Sequence, residues 1–393
     1  MQVLYDKEWK TLTGRFFADA SWPTAREISA VVKDDRAFLV MYRTLFYNHV
    51  LGGLARSQRR TPSFAQYVEA WKAYKEFLEF AVEEPAGALA MPASWVYDTL
   101  VDATYSFEKF TELRLVEAGL RTRPVDEDGE GGMGGSAAPE LGSVTEAEVA
   151  GAWGLADFLG LLHAAVAKAD LPALLAAGRP LTSLTDLTGY NAAIMLCRLY
   201  SKLGDYGAAL EAVKPLNVFV PDGAPYAKLH RAYISLQYYA AFALLMSRRY
   251  EDAVRVAQRT LVFFQRTQSL FGDRNGGEPT HLHFTIKRPG TKLLGILALA
   301  GAVLPGFAAE DVLRRVLRDR YGERTERIAL AVAAAGDLVH LHRVRARLPV
   351  LDAPAAHAPA RRRRPRPALP LRPARGHAGG ARGGAEGRCG GAH

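Results

Sequence analysis

The chain has 393 residues, 49% of them hydrophobic, and two cysteines, Cys197 and Cys389, far apart in sequence. That composition suits a folded globular protein with room for more than one domain, and it excludes a disulfide framework or a cysteine-rich zinc site. The net charge of +9 is unevenly placed: residues 340–393 hold twelve Arg, no Lys and two acids, which leaves 38 basic against 39 acidic residues in 1–339, so the basic character belongs to the tail.

The first ten residues, MQVLYDKEWK, are charged and lack the apolar stretch of a signal peptide. The longest apolar run, 293–304, stops at Pro305, short of the roughly 20 residues that span a bilayer. A cytoplasmic protein with no membrane partner is expected.

Residues 1–119 are predicted to form an aromatic-rich N-terminal helical domain. Thr24 and Glu27 have capping-box spacing, and the helix they open is expected to carry Phe38, Met41, Tyr42, Leu45, Phe46 and His49. Thr61-Pro62 is expected to open the next, with the proline at the first helical position. Phe64, Tyr67, Trp71, Tyr74, Leu78 and Val82 continue it and Pro85 ends it. A third helix is predicted over 94–118, with Trp95, Leu100, Tyr105 and Phe110. No stretch alternates apolar and polar residues over the length of a strand.

Residues 120–145 are acidic, then Gly-rich, without an aromatic side chain, and are predicted to be a disordered loop. Residues 146–328 are predicted to be a TPR-like helical repeat domain. Helices resume with Trp153, Phe158, Leu161 and Leu162. Tyr206, Ala209, Leu210 and Val213 then fall at i, i+3, i+4 and i+7, and Tyr250, Ala253, Val254 and Ala257 repeat that spacing. Each stripe follows another helix across a short polar turn, Gly204-Asp205 or Ser247-Arg248-Arg249, which describes stacked helix–turn–helix units. An irregular insert is expected at 272–290. A third pair, 291–304 and 308–320, follows across Pro305-Gly306, its last helix acidic at the start and Arg-rich at the end, as the helix dipole favours. The tail, 329–393, is Arg, Pro, Gly and Ala with little to bury, and is predicted to be disordered. Its residues are those of GC-rich codons, which points to a shifted reading frame or a retained intron rather than a selected basic arm. The predicted class is therefore all-α: an N-terminal helical domain, a right-handed α-solenoid of TPR-like repeats, and a disordered tail.

No catalytic, cofactor-binding or metal site is expected. Residues 129–134, GEGGMG, match GxGxxG, but a dinucleotide site needs a strand before it and a helix after it, and the preceding acids would repel a pyrophosphate. His281 and His283 could face one way in an extended segment, yet no third ligand has the spacing of a metal site. His49 and His163 are isolated on helices. Trp71, Tyr74 and Phe80 have helical spacing that suits a core better than a platform for RNA bases. The series Arg248, Arg249, Arg255, Arg259 and Arg266 offers the one candidate contact surface. It reads either as a solvated face paired with Glu251 and Asp252 or as a contact for an acidic partner or RNA phosphate.

Several blocks resemble a known family, subunit L of translation initiation factor 3. They are SWPTAREISAVVKDDRAFLVMYRTLFYNHV at 21–50, MPASWVYDTLVDATYSFEKF at 91–110, RLYSKLGDYGAALEAV at 198–213, YYAAFALLMSRRYEDAVRVAQRTLVFFQRTQSLF at 238–271 and LALAGAVLPGFAAEDVLRRVLRDRYGER at 297–324. The resemblance runs collinearly over about 5–328. The same family has also been described as an RNA polymerase I-associated factor. It implies a non-enzymatic scaffold subunit acting at the small ribosomal subunit, with subunits E and K among its partners, and helical repeats leading into a winged-helix PCI module. The family's acidic, Tyr-rich N-terminal extension is largely absent. This sequence leaves the family pattern at 272–290 and again near Ile328, before the winged helix, from which poor incorporation into the complex is expected. Two other readings fit the residues: a scaffold of a proteasome-lid or signalosome-like assembly, or an RNA-binding protein acting through its basic tail.

Overall fold

The computed structural model describes residues 22–57, 62–85, 89–120, 144–219, 230–272, 281–304, 307 and 309–335. The acidic and Gly-rich loop at 121–143 with its GxGxxG spacing, residues 273–280 of the insert, and the Arg-rich tail from 336 lie outside the described residues. Among those described the fold is all-α, and the one strand-like feature is an isolated antiparallel bridge between Ala90 and Ser183.

The helices are α1 (Ala25–Ser29), α2 (Arg36–Ser57), α3 (Phe64–Glu83), α4 (Ala93–Glu117), α5 (Glu146–Gly151), α6 (Leu155–Ala169), α7 (Leu171–Ala176), α8 (Leu184–Leu203), α9 (Tyr206–Val213), α10 (His230–Met246), α11 (Tyr250–Gly272), α12 (His281–Val303) and α13 (Asp311–Ala335). The Thr24–Glu27 capping box forms as expected, the Thr24 amide donating to Glu27 at 2.6 Å, but the helix it opens ends at Ser29. Lys33 and Asp34 take left-handed conformations, and Asp35 starts the aromatic helix α2 afresh by accepting from the Phe38 amide at 2.9 Å. The next helix is opened by a Ser63–Gln66 capping box, so Pro62 precedes the cap instead of occupying the first helical position.

Helix α8 sits at the centre. Its residues are buried on every side, with α3, α4, α6, α7, α9 and α10 packed around it. The closest approach is at Gly189, where a Cβ atom would lie 2.2 Å from the Ala169 Cβ and 2.9 Å from the Ala165 carbonyl oxygen on α6. An aromatic cluster ties the helices before residue 121 to those after 143. Trp71 on α3 lies 4.9 Å from Trp153, and Phe158 on α6 lies 5.4 Å from Phe107 on α4, centroid to centroid. The Trp153 indole donates to the Tyr67 carbonyl at 2.8 Å, which satisfies its one polar atom inside this core. Trp71, Tyr74 and Phe80 are all buried, so their faces are occupied by packing rather than open to a base.

The apolar stretch 155–176 has the length and composition of a membrane span, but Asp170, in a left-handed conformation, divides it into α6 and α7. Phe158, Leu162, Ala165 and Ala169 of α6 are buried in the core.

Helix pairs α8–α9 and α10–α11 follow the predicted register, and α12–α13 forms the third. Two boundaries differ from expectation. The irregular insert becomes helix at His281, so the segment expected to be extended around His281 and His283 has helical backbone, and Pro289 lies inside α12. Proline there forgoes one backbone donor. Packing against α11 outweighs that local preference: Gly290 is buried beside the Phe264 ring. Helix α13 runs to Ala335, past the predicted helix end at 320, with Val316, Leu317, Tyr321 and Ile328 against the core.

Two glycine substitutions separate packing from propensity. Gly189→Ala forces α6 away from α8 and lowers stability by about 1–3 kcal/mol. Gly160→Ala, on the exposed side of α6 with open space around it, raises stability by about 0.5–1 kcal/mol. Urea unfolding of each variant beside the parent chain measures both.

Candidate protein-interaction surface

The outward-facing residues of the repeats are set by their turns. Helix α8 ends at Gly204 with φ +87°, a conformation glycine adopts freely, and Asp205 caps α9 by accepting from the Ala208 amide at 2.9 Å. Helix α10 ends at Arg248 with φ +62°, which for a side chain with a Cβ costs about 1 kcal/mol. The Tyr206 ring stands edge-on to Phe242 at 6.1 Å, so both turns lie at the same end of the stack. Leu203 beside the first turn is half exposed.

The five candidate arginines do not form one face. Arg248 is exposed in its turn. Arg249 is also exposed and grips Asp252, with Nε and Nη2 at 2.9 and 2.6 Å from Oδ2. Arg255 reaches the same carboxylate at 3.4 Å and lies over the Phe219 ring at 5.9 Å. Arg259 turns inward: its Nη1 donates to the Phe219 carbonyl at 2.6 Å and its Nη2 to that of Val218, closing the turn after α9. The side chain of Arg266 lies outside the described residues. What remains outward is a short ridge, Arg248, Arg249 and Arg255, interleaved with Glu251 and Asp252.

The strongest electrostatic feature is buried, and the sequence pattern did not reveal it. Arg198, on α8, is 1% exposed. Its Nε donates to Glu108 Oε1 on α4 at 3.0 Å, and Nη2 lies 2.8 Å from the same oxygen without hydrogen-bond geometry. Lys202 meets the other oxygen of Glu108 at 2.6 Å. Burial works against the Arg198 charge, but Tyr239, Glu108 and Tyr97 outweigh it and raise its pKa. Tyr239, on α10, is itself pushed up to about 12, chiefly by burial. Nearly three turns earlier on α4, Arg231 pairs with Asp98, and the Tyr97 hydroxyl meets Ser235 at 2.6 Å. This seam locks α4 to α8 and α10. A lone arginine inside the apolar stretch LCRLY was its one trace in the sequence.

No group of three or more His, Cys, Asp or Glu side chains is placed to hold a metal among the described residues. His49 stacks on Trp22 at 4.5 Å, and His163 shares a 2.8 Å hydrogen bond with Tyr200. Cys197 is buried and its thiol is pushed up to about 12 by that burial, which keeps it protonated and unreactive. A shallow groove of about 260 Å³ between α3 and α5 is lined by Val68, Trp71, Lys72, Lys75, Glu148, Gly151 and Ala152. Its Lys72 is already engaged by Glu69 at 2.6 Å and Glu148 at 3.6 Å.

A family model described as RNA polymerase I-associated factor PAF67 matches residues 66–338. Three curated proteins named eukaryotic translation initiation factor 3 subunit L are similar over 340 residues, or 83% of this chain. The Danio rerio protein is 27% identical with 54% of its length covered, and the Homo sapiens and Xenopus laevis proteins are each 26% identical with 55% covered. The chain thus spans about half the length of the curated relatives it matches. No solved structure matches it.

Four substitutions test this assignment of charges. Glu108→Ala strands the buried Arg198 charge and costs about 3–5 kcal/mol, whereas Arg36→Ala, which breaks an exposed pair with Glu83, leaves the urea midpoint nearly unchanged. Arg259→Ala lowers stability by about 1–3 kcal/mol, and Arg259→Lys does not restore it, because an ammonium cannot span two carbonyls as the guanidinium fork does. Thermal melts of the arginine, alanine and lysine forms at position 259 check the second expectation.

Proposed function

Because this chain belongs to the RNA polymerase I-associated factor PAF67 family, we propose that it is a non-catalytic scaffold subunit of translation initiation factor 3. In this reading it works in the cytoplasm and supports recruitment of mRNA and initiator tRNA to the small ribosomal subunit through protein–protein contacts. Subunits E and K are its nearest proposed partners. The observation that carries the proposal is the collinear similarity to proteins named as subunit L over 83% of the chain.

The physical character of the body fits such a role. A stack of helix pairs buries its apolar stripes internally and turns charged ridges and inter-helix turns outward, the arrangement by which helical repeats present extended surfaces to neighbours. The near-neutral charge of 1–339 favours protein contacts over phosphate binding by the folded part. The helices pack through one continuous core from α2 to α13, so the outward ridges are held rigidly relative to one another.

Capture of the tagged full-length chain from cells, followed by quantitative mass spectrometry and gradient sedimentation, tests the reading. Sibling subunits of initiation factor 3, E and K among them, are expected to be recovered, at the low yield that the departure from the family pattern near Ile328 implies, and to sediment in part with the small ribosomal subunit. Recovery of proteasome-lid, signalosome or RNA polymerase I subunits in their place would reassign the scaffold to that assembly.

A further inference from the structure

The two repeat pairs of the central stack match residue for residue: Tyr206 with Tyr250, Ala209 with Ala253, Val213 with Ala257. In that register Gly204 corresponds to Arg248 and Asp205 to Arg249. The first turn is built for its backbone, with glycine at the left-handed position and an aspartate to cap the next helix. The second gives up both. Arg248 holds the left-handed conformation with φ +62°, and Arg249 has no acceptor with which to cap α11. Arg249 is oriented instead by Asp252, which stands where the first pair has Ala208. Arg248 is exposed, and no hydrogen bond or ion pair among the described residues involves its side chain. Among the described residues no hydrogen bond or ion pair of the side chain offsets the backbone cost of an arginine there.

We propose that the Arg248–Arg249 turn is a contact site for an acidic segment of a partner protein, an inference that rests on the scaffold reading and names the chemistry of one of its contacts. The guanidinium fork of Arg248, and the Nη1 end of Arg249 that Asp252 leaves open, suit planar carboxylates. Half-exposed Leu203, beside the neighbouring turn at the same end of the stack, offers an apolar contact beside them. The near-neutral charge of 1–339 gives a phosphate backbone little net attraction beyond this turn, which favours a protein carboxylate over RNA.

The test uses the full-length chain and reads binding and stability together. Arg248→Gly restores the residue of the first turn, so the thermal midpoint is expected to hold or rise, while recovery of initiation factor 3 subunits falls by about fivefold or more. A photoreactive phenylalanine installed at exposed position 251, with Arg248 intact, is expected to cross-link to an Asp/Glu-rich peptide of one of those subunits. Unchanged recovery with Arg248→Gly overturns the inference and leaves the scaffold reading standing. A cross-link to RNA, or a difference that disappears after ribonuclease treatment, overturns it in favour of a nucleic-acid contact. If the parent chain recovers no initiation factor 3 subunit, the scaffold reading fails and this inference fails with it.

Discussion

Helix α8 has no face turned to water, and the arrangement of its neighbours follows from that constraint. A helix buried all round must be surrounded, so α3, α4, α6, α7, α9 and α10 each cover part of it. Two of its residues set how closely and where. Gly189 lets α6 approach until its Ala165 backbone and Ala169 side chain occupy the space a Cβ would need. Arg198 carries a charge into the centre, and a charge there is tolerated only when paired and hydrogen-bonded. Glu108 meets that requirement from α4, ninety positions earlier in the chain. The aromatic cluster of Trp71, Phe107, Trp153 and Phe158 then packs α3 and α6 against α4, so that polar pairing fixes the register and apolar burial supplies most of the stability.

The repeat pairs divide their labour along the stack. The α8–α9 turn uses glycine and a capping aspartate, both ordinary solutions to ending one helix and starting another. The α10–α11 turn uses two arginines where neither suits the backbone. Of the charges on α11, Arg259 is consumed in holding the loop after α9, and Arg249 and Arg255 share Asp252. A row of arginines in sequence thus becomes three kinds of residue in space: a structural clamp, a partly neutralised ridge, and the exposed Arg248. This sorting leaves Arg248, Arg249 and Arg255 as the outward part of the series among the described residues.

Local chemistry was legible in the sequence wherever it was complete within a few residues. The Thr24–Glu27 capping box, the tight Gly204-Asp205 turn and the apolar stripes of α9 and α11 all form as their spacing implied. Where two local signals competed, the reading failed. Lys33-Asp34 breaks what looked like one long helix, and Asp35, a good cap, was the signal that could have shown it. Residues 272–290 read as irregular, with helix expected only after Gly290, yet contact with α11 carries α12 back through Pro289-Gly290 to His281. The candidate ridge was half legible: the positions of its arginines were plain, but not which of them faced inward.

The sequence by itself determined the helical class, the paired repeat, the boundaries of the long stripes and the separation of a near-neutral body from an Arg-rich tail. Those follow from periodicity, capping and composition, which act over one or two helical turns. Tertiary structure alone decided that Arg198 and Glu108 are buried partners, that Arg259 is a clamp, and that Arg248 is left exposed in a left-handed turn. Burial and charge pairing depend on which residues distant in the chain are brought within a few ångströms, and no local pattern carries that information.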